Sequence, residues 1–284
     1  MTKPGIVRMV GVTAAFSYFI AAPDVEGYGI MRLIAALIGI MGAAAGSAVL
    51  NNVMERDLDA RMERTRNREI PSGRVLPEYA LGFGLVLSIL SVAWLILTVN
   101  LLTAFLVLAT AFLYVVVYTP LKTRTWLNTT IGAIPGAMPT LCGWAAAMNT
   151  LDFGAWVMFA ILFAWQHPHF YAIAWIYRKD YEKAGYKMLS VVDKTGSRLF
   201  LQILLFSLLL LAVSLLPTFM NISGWLYFAG ALVLGVFVMV RGFQFVVRPT
   251  VRDARKLLMS TIIYLPVLLV VILADQLLLT ALAT

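Results

Sequence analysis

The 284-residue chain is 61% hydrophobic and 13% charged, with a mean hydropathy of +0.88, against roughly 45–50% and about 25% in soluble domains. A water-soluble fold of this size would lack the polar surface to cover its core, so a soluble enzyme, a disordered chain and a secreted disulfide scaffold are excluded, and lipid is the expected solvent. The one cysteine, Cys142, cannot form an internal bridge, and the net charge of +8 would point to nucleic acid only as a water-exposed patch, which its distribution does not make.

Nine stretches are apolar enough for a spanning helix of about 20 residues: about 7–22, 31–53, 78–98, 101–119, 127–148, 153–177, 199–217, 222–243 and 258–280. The first lacks a small-residue cleavage site and reads as a retained helix, not a signal peptide. No alternation at period two supports a barrel. With the N-terminus in the cytoplasm, 21 of 22 lysines and arginines fall on the inner side, leaving only Arg32 outside. That asymmetry follows the positive-inside rule. The expected fold is therefore all-α and polytopic: one domain over 1–284, nine transmembrane helices, N-terminus in and C-terminus out. The outer connections, including Asp24 and Glu26 in the first, read as plain turns. Two long connections, about 54–77 and 178–198, are cytoplasmic and crowded with acids and bases, and chemistry is expected there. Helices 2 and 6 each lead into one of them, a weak echo between two halves.

The first connection continues from helix 2 without glycine or proline until Pro71, so a helix through about residue 64 is predicted. Asn52, Glu55 and Asp59 then share one face. Two carboxylates one turn apart beside an amide oxygen suit Mg²⁺, which takes one or two protein carboxylates and fills its shell with water and phosphate oxygens. Asp57 points about 160° from Glu55 on helical periodicity and is expected to pair with Arg56 or Arg61. Arg64, Arg66 and Arg68 offer guanidinium forks for phosphate. A solvated face laced with salt bridges explains Arg56, Asp57, Arg61 and Glu63 equally well, but not two asparagines where an apolar helix meets its charged extension.

Tyr118 and Lys122 are placed at the same cytoplasmic level. Helix 5 carries Gly132, Pro135, Gly136, Pro139 and Gly143, small and kinking residues that permit close helix approach or leave room for a bulky ligand. Helix 6 holds Gln166, His167 and His169 inside the apolar run from Trp165 to Trp175. The two histidines stand about 200° apart, so they do not share one ion, and zinc is unsupported. One facing a large ligand and both packed against carbonyls remain alternatives. Beyond it, Tyr177, Asp180 and Lys187 share a face if the helix persists past Gly185, with Lys183 one turn from Asp180. An acid beside two lysines serves a second metal, a diphosphate, or both; a loop obeying the positive-inside rule is the plainer alternative.

The string Asn51-Asn52-x-x-Glu55-Arg56-Asp57-x-Asp59-x-x-Met62-Glu63-Arg64-Thr65-x-Asn67-Arg68 resembles the first aspartate-rich motif of the intramembrane UbiA-type prenyltransferases, and within them the heme O synthase (protoheme IX farnesyltransferase) branch. Thr2-Lys3-Pro4, Tyr118-Thr119-Pro120-Leu121-Lys122, Gly136-Ala137-x-Pro139-x-x-Gly143-Trp144, Trp165-Gln166-x-Pro168-His169-Phe170 and Asp180-Tyr181-x-x-Ala184-Gly185-x-x-Met188-Leu189 follow in the expected order. The last three helices match only in number and character. Departures are Glu55 in place of aspartate, Thr140, Ser190 and Glu69 in place of proline, and Tyr177 and Tyr181 where the superfamily commonly has acids. His167 sits at a variable position, which favours His169 as the functional histidine.

The resemblance implies transfer of a farnesyl group from farnesyl diphosphate to the 2-vinyl group of heme B, with addition of water, giving heme O. It implies a prokaryotic inner-membrane enzyme with its site on the cytoplasmic side, and no nucleic-acid partner. The residues implied in catalysis are Asn52, Glu55, Arg56, Asp59, Lys122, His169, Asp180 and Lys183. Arg64, Arg68, Tyr118, Trp165, Tyr177 and Lys187 are implied in binding the substrates, and Asn52, Glu55, Asp59 and Asp180 in holding Mg²⁺. Membrane lipid surrounds the bundle, and a downstream heme-modifying enzyme or terminal oxidase assembly is an implied partner. Rival readings are a prenyltransferase for another aromatic acceptor such as a quinone precursor, an ion-coupled transporter and an oxidase assembly factor.

Overall fold

A computed structural model describes residues 1–22 and 27–283; Asp24 and Glu26, expected in an outer turn, lie outside the described residues. The long helices are α1 (Pro4–Ala21), α2 (Tyr28–Met54), then after a short α3 (Arg56–Asp59) α4 (Pro77–Thr98) and α5 (Leu101–Phe112). The last runs on through a π-helical segment, Leu113–Tyr118, into α6 (Thr119–Leu121). Then come α7 (Asn128–Met148), α8 (Phe153–Ile176), the short α9 (Arg178–Ala184) and α10 (Leu189–Val192), and finally α11 (Ser197–Phe219), α12 (Trp225–Val247) and α13 (Val251–Ala283). There is no strand among the described residues.

The helix starts follow local chemistry. Pro4 and Pro77 occupy first turns, where a missing N–H costs nothing. Asn100 and Asp152 accept the backbone N–H of Thr103 (2.7 Å) and Ala155 (3.3 Å). Asp193 accepts from Arg198 (2.8 Å) and Leu199 (3.2 Å) to cap α11. Asp275, buried in α13, reaches across to the N–H groups of Gly224 and Tyr227 and caps the neighbouring helix α12.

Among the described residues, eight helices are long and apolar enough to cross a membrane. The stretch expected at about 153–177 is helical over Phe153–Ile176, but α8 is not one of the eight, because Gln166, His167, Pro168 and His169 interrupt its apolar run. Instead α8 packs between α7, α11 and α13, and its polar groups are paired: Gln166 donates to the carbonyls of Ala133 and Leu162, each at 3.1 Å. Buried apolar residues form one continuous core from α1 to α13, while side chains such as Leu97, Phe105, Val233 and Leu277 are exposed outward, as lipid-facing surface should be.

The helix expected through residue 64 breaks at Glu55 (φ −94°, ψ 5°), and α3 lasts four residues. Past Asp59 the chain turns through i to i−3 bonds, Arg61 to Leu58 and Met62 to Asp59. The Thr65 hydroxyl donates to the Asp59 carbonyl at 2.8 Å, taking an acceptor that a continuing helix would use.

Close approach of α1 and α7 depends on Gly143. A Cβ there would lie 2.0 Å from the Ala14 carbonyl oxygen, a backbone atom that cannot swing away. Gly143→Ala is expected to destabilise the bundle by about 1–3 kcal/mol, read as a lower unfolding midpoint in detergent; an unchanged midpoint would contradict this packing.

Candidate active site

The two charged connections begin with the same backbone event. Glu55 ends α2 at φ −94°, ψ 5°, and Tyr177 ends α8 at φ −103°, ψ 20°. Both lie in the sparsely populated bridge region, and each starts a short helix. Glu55 and Asp59 therefore hold the same positions on α2–α3 that Tyr177 and Tyr181 hold on α8–α9, so the coarse echo read in the sequence is geometric.

Glu55 and Asp59 are 4% and 1% exposed. Buried carboxylates need counter-charges, and each has one. Lys122 Nζ lies 2.6 Å from Glu55 Oε1, and Arg68 Nη1 lies 2.6 Å from Asp59 Oδ2. Removing one partner from such a pair costs about 3–5 kcal/mol. Lys122 also sits 4.6 Å from the ring centroid of Tyr118. That ring lies against Gly132, where a Cβ would come within 2.4 Å of it. Asn51 donates to the Thr119 hydroxyl at 2.9 Å, which ties α2 to α6 and sets Lys122 at the carboxylates. Asn52 donates to the Met1 carbonyl at 2.7 Å, while its Oδ1 is buried without a partner among the described residues. An open amide oxygen beside two carboxylates is a fitting donor set for a hard divalent cation.

The second connection closes over the first. Met62, Ala184, Tyr186 and Met188 form a small buried cluster flanked by Leu58 and Tyr181. Arg64 lies over the Tyr177 ring, 5.3 Å from its centroid. The Lys187 N–H donates to the Lys122 carbonyl at 2.8 Å, and Asn128 donates to the Lys187 carbonyl at 3.1 Å. Gly185, at φ +83°, ends α9, so Lys187 leaves the helix face of Tyr177 and Asp180. Asp180 is half-buried, and Lys183 and Lys187 are exposed at the rim. Among the described residues no three of His, Cys, Asp and Glu gather at one metal position, so Asp180 is not clustered with Glu55 and Asp59. Arg56 is exposed and pairs with Asp57 at 3.4 Å.

The histidines divide. His167 is fully buried and stacks on Phe206 with centroids 3.4 Å apart, its Nδ1 at 2.8 Å from the Phe163 carbonyl and its Nε2 at 3.3 Å from the Thr130 hydroxyl. Both ring nitrogens are engaged. His169 is half-buried and, among the described residues, uses only Nδ1, at 2.9 Å from the Thr261 hydroxyl. It stacks on Trp165, whose indole donates to the Thr261 carbonyl at 2.8 Å.

Lys3 was missed as a site residue. Its ammonium donates to Asn51 Oδ1, and its backbone adopts φ +50° just before Pro4. Burial, then repulsion from Lys122, brings its pKa down to about 7. The Thr2-Lys3-Pro4 block was the available signal. Glu69, in place of proline, pairs with the N-terminal amine at 3.2 Å, and Ser190 donates to the Ala174 carbonyl at 2.8 Å.

Residues 10–271 match the model of the UbiA prenyltransferase family. The chain belongs to that family. It is 41% identical over 283 residues to a protoheme IX farnesyltransferase of Solibacter usitatus (strain Ellin6076), covering 97% of each chain. Its fold is similar to that of a digeranylgeranylglyceryl phosphate synthase (TM-score 0.78, 15% identity, 95% of each chain). It is also similar to a UbiA homologue from Archaeoglobus fulgidus bound to DMAPP and Mg²⁺ (TM-score 0.69, 13% identity, 96% of this chain and 99% of that one). As a member of this family the chain is an all-helical membrane prenyltransferase.

Lys3 adds a titration to the cluster. A lysine held at about 7 is charged below that pH and neutral above it, while in the unfolded chain it stays charged to about 10.4. Its burial penalty is thus complete below about pH 7 and relieved as pH rises towards 10.4. Inorganic pyrophosphate is expected to bind more weakly as pH rises from 6 to 8.5, beyond the ligand's own titration. Calorimetry on Lys3→Gln should lack that extra loss; an identical pH profile in both proteins would contradict the placement.

Proposed function

We propose that the protein transfers the farnesyl group of farnesyl diphosphate to the 2-vinyl group of heme B with addition of water, giving heme O and diphosphate. The observation that carries this reading is the meeting of both helix breaks around a buried carboxylate pair held by Lys122 and Arg68, in a chain 41% identical over 97% of its length to a protoheme IX farnesyltransferase. The nearest rival, another aromatic acceptor, has no specific observation in its favour. Transport is disfavoured because the charged groups gather at helix ends, not on broken helices at the bilayer midplane.

Mg²⁺, held by Glu55, Asp59 and the open Oδ1 of Asn52, with Asp180 as the remaining acid on the facing connection, would supply the charge that draws electrons onto the departing diphosphate. Lys122 and Arg68, freed from the carboxylates, turn to the phosphate oxygens, with Arg56, Arg64, Lys183 and Lys187 as cations at the rim. Tyr177 and Tyr181 stand where a second acid pair would be, so the second connection contacts diphosphate through lysines and phenols. The bond between farnesyl C1 and oxygen breaks, and the vinyl π electrons form the new bond to C1. Water adds to the resulting cation and loses one proton. The Tyr118 ring, which already faces the Lys122 ammonium, stabilises the allylic charge, Trp165 binds substrate deeper, beside His169, and apolar walls keep water from the cation early.

His169 lies eight residues before Tyr177 on α8, about 12 Å deeper at 1.5 Å per residue. Its unengaged Nε2 orients the heme through iron or a propionate, or takes the proton. We place the whole chain in one domain with nine spans, α8 included. All lysines and arginines but Arg32 then lie in the cytoplasm with the N-terminus, the C-terminus lies outside, and the site opens at the inner face of a prokaryotic inner membrane. The product passes to a heme-modifying enzyme or a terminal oxidase.

Purified protein given heme B, farnesyl diphosphate and Mg²⁺ is expected to yield a heme heavier by one farnesyl group plus one hydroxyl, seen by mass spectrometry of extracted porphyrins. EDTA should abolish it, and Asp59→Ala should slow it by about 10²–10³-fold. Heme returned unchanged while a small aromatic acceptor is prenylated would move the reaction to that acceptor. His169→Ala is expected to cut heme turnover while leaving farnesyl diphosphate binding intact, whereas His167→Ala should lower the unfolding midpoint first. The reverse pattern would reassign the histidines.

A further inference from the structure

Away from the reaction site, a groove of about 580 Å³ lies where the end of α12 meets the start of α13. Arg241 enters it from α12, and Arg252, Arg255 and Lys256 from α13. Its floor is apolar, with Phe237 on one side and Met259 and Ile263 on the other. The cations are under-compensated. Asp253 pairs with Lys256 at 3.0 Å and also accepts from Thr250. Arg241 donates to Gln244 at 2.9 Å and lies 5.3 Å from the Phe237 ring centroid. Neither Arg252 nor Arg255 makes an ion pair among the described residues; Asp253, already paired with Lys256, acts on Arg252 only at longer range. At the reaction site, by contrast, Lys122 and Arg68 are each paired with a buried carboxylate.

The groove is separate from that site. Thr261, which binds His169 and Trp165, follows Arg252 by nine residues and so faces about 180° away around α13. Below the cations runs an exposed apolar track: Met259, Ile263 and Val270 on α13, with Val233 on α12. From Met259 to Val270 it covers about 16 Å, close to the roughly 15 Å of one hydrocarbon leaflet. A second copy of the same groove would set like charges against each other, so the occupant is not the same groove of a partner molecule.

We propose that this groove binds an acidic phospholipid, its phosphate among Arg241, Arg252, Arg255 and Lys256 and its acyl chains along the track below. Basic pockets between membrane helices that hold anionic headgroups have this composition. The test is native mass spectrometry of the full chain in detergent with equimolar phosphatidylglycerol and phosphatidylcholine. The wild type is expected to keep phosphatidylglycerol adducts about 10-fold more than phosphatidylcholine. R252Q/R255Q/K256Q should lose that preference with an unchanged unfolding midpoint, and R252K/R255K should keep it. Should the triple variant fail to fold, Arg255→Gln alone is expected to show a partial loss. Equal retention of the two lipids, undiminished preference in the glutamine variants, displacement of the lipid by millimolar inorganic phosphate, or dimers without bound lipid would each overturn the proposal.

Discussion

Two carboxylates taken out of water at the end of a membrane helix set the terms for everything around them. Glu55 and Asp59 are almost wholly buried, and the desolvation of such groups costs several kcal/mol each unless a counter-charge comes with good geometry. The fold supplies one cation for each, from different places. Lys122 arrives because the π-helical segment and α6 bring it beside α2, with Thr119 bonded to Asn51 and the Tyr118 ring resting on Gly132. Arg68 arrives because Thr65 turns the chain back on Asp59. A site built this way leaves neither buried carboxylate without a counter-charge.

The rest of the bundle keeps that arrangement at its edge. Helix α8 carries the polar groups that could disturb a membrane core, and it sits among α7, α11 and α13, where Gln166 and His167 find carbonyl and hydroxyl partners. At its end Tyr177 repeats the backbone break of Glu55, and the cluster of Met62, Ala184, Tyr186 and Met188 joins the two connections. Two different pairs, carboxylates on one side and phenols on the other, thereby face each other. On the proposed function, this asymmetric pair takes a diphosphate with one metal-bound and one lysine-bound end.

Much of this was legible in the residues. Apolar runs located the long helices to within a few residues at most ends, because a helix in lipid must be long and apolar and its flanks must be charged. The start of α13 is the main exception: Val251–Ala283 begins seven residues before the predicted 258, since its first two turns are basic and lie outside the apolar run. The common level of Tyr118 and Lys122 and the separation of the two histidines were also readable from spacing; the contact of the Lys122 ammonium with the Tyr118 ring was not. The break at Glu55 was not, since nothing in the local sequence forbids helix there; nor was the end of α3, where Thr65 and Arg68 bond Asp59. Lys3 escaped for the same reason, as a residue at the chain start enters the site only through contact with Asn51. The partners of Glu55 and Asp59 lie 67 and 9 residues away, distances at which sequence spacing carries no information.

The exchange of carboxylate-bound cations for metal and diphosphate is tested most directly by calorimetric binding of a non-reacting thiolodiphosphate analogue of farnesyl diphosphate, with and without Mg²⁺, to the wild type and to Asp59→Asn. Exchange predicts binding that requires Mg²⁺ in the wild type and weakens about 100-fold in Asp59→Asn, where the metal loses a ligand while Arg68 remains. Equal affinity with EDTA, or an Asp59→Asn protein that binds the analogue as tightly as the wild type, would contradict it.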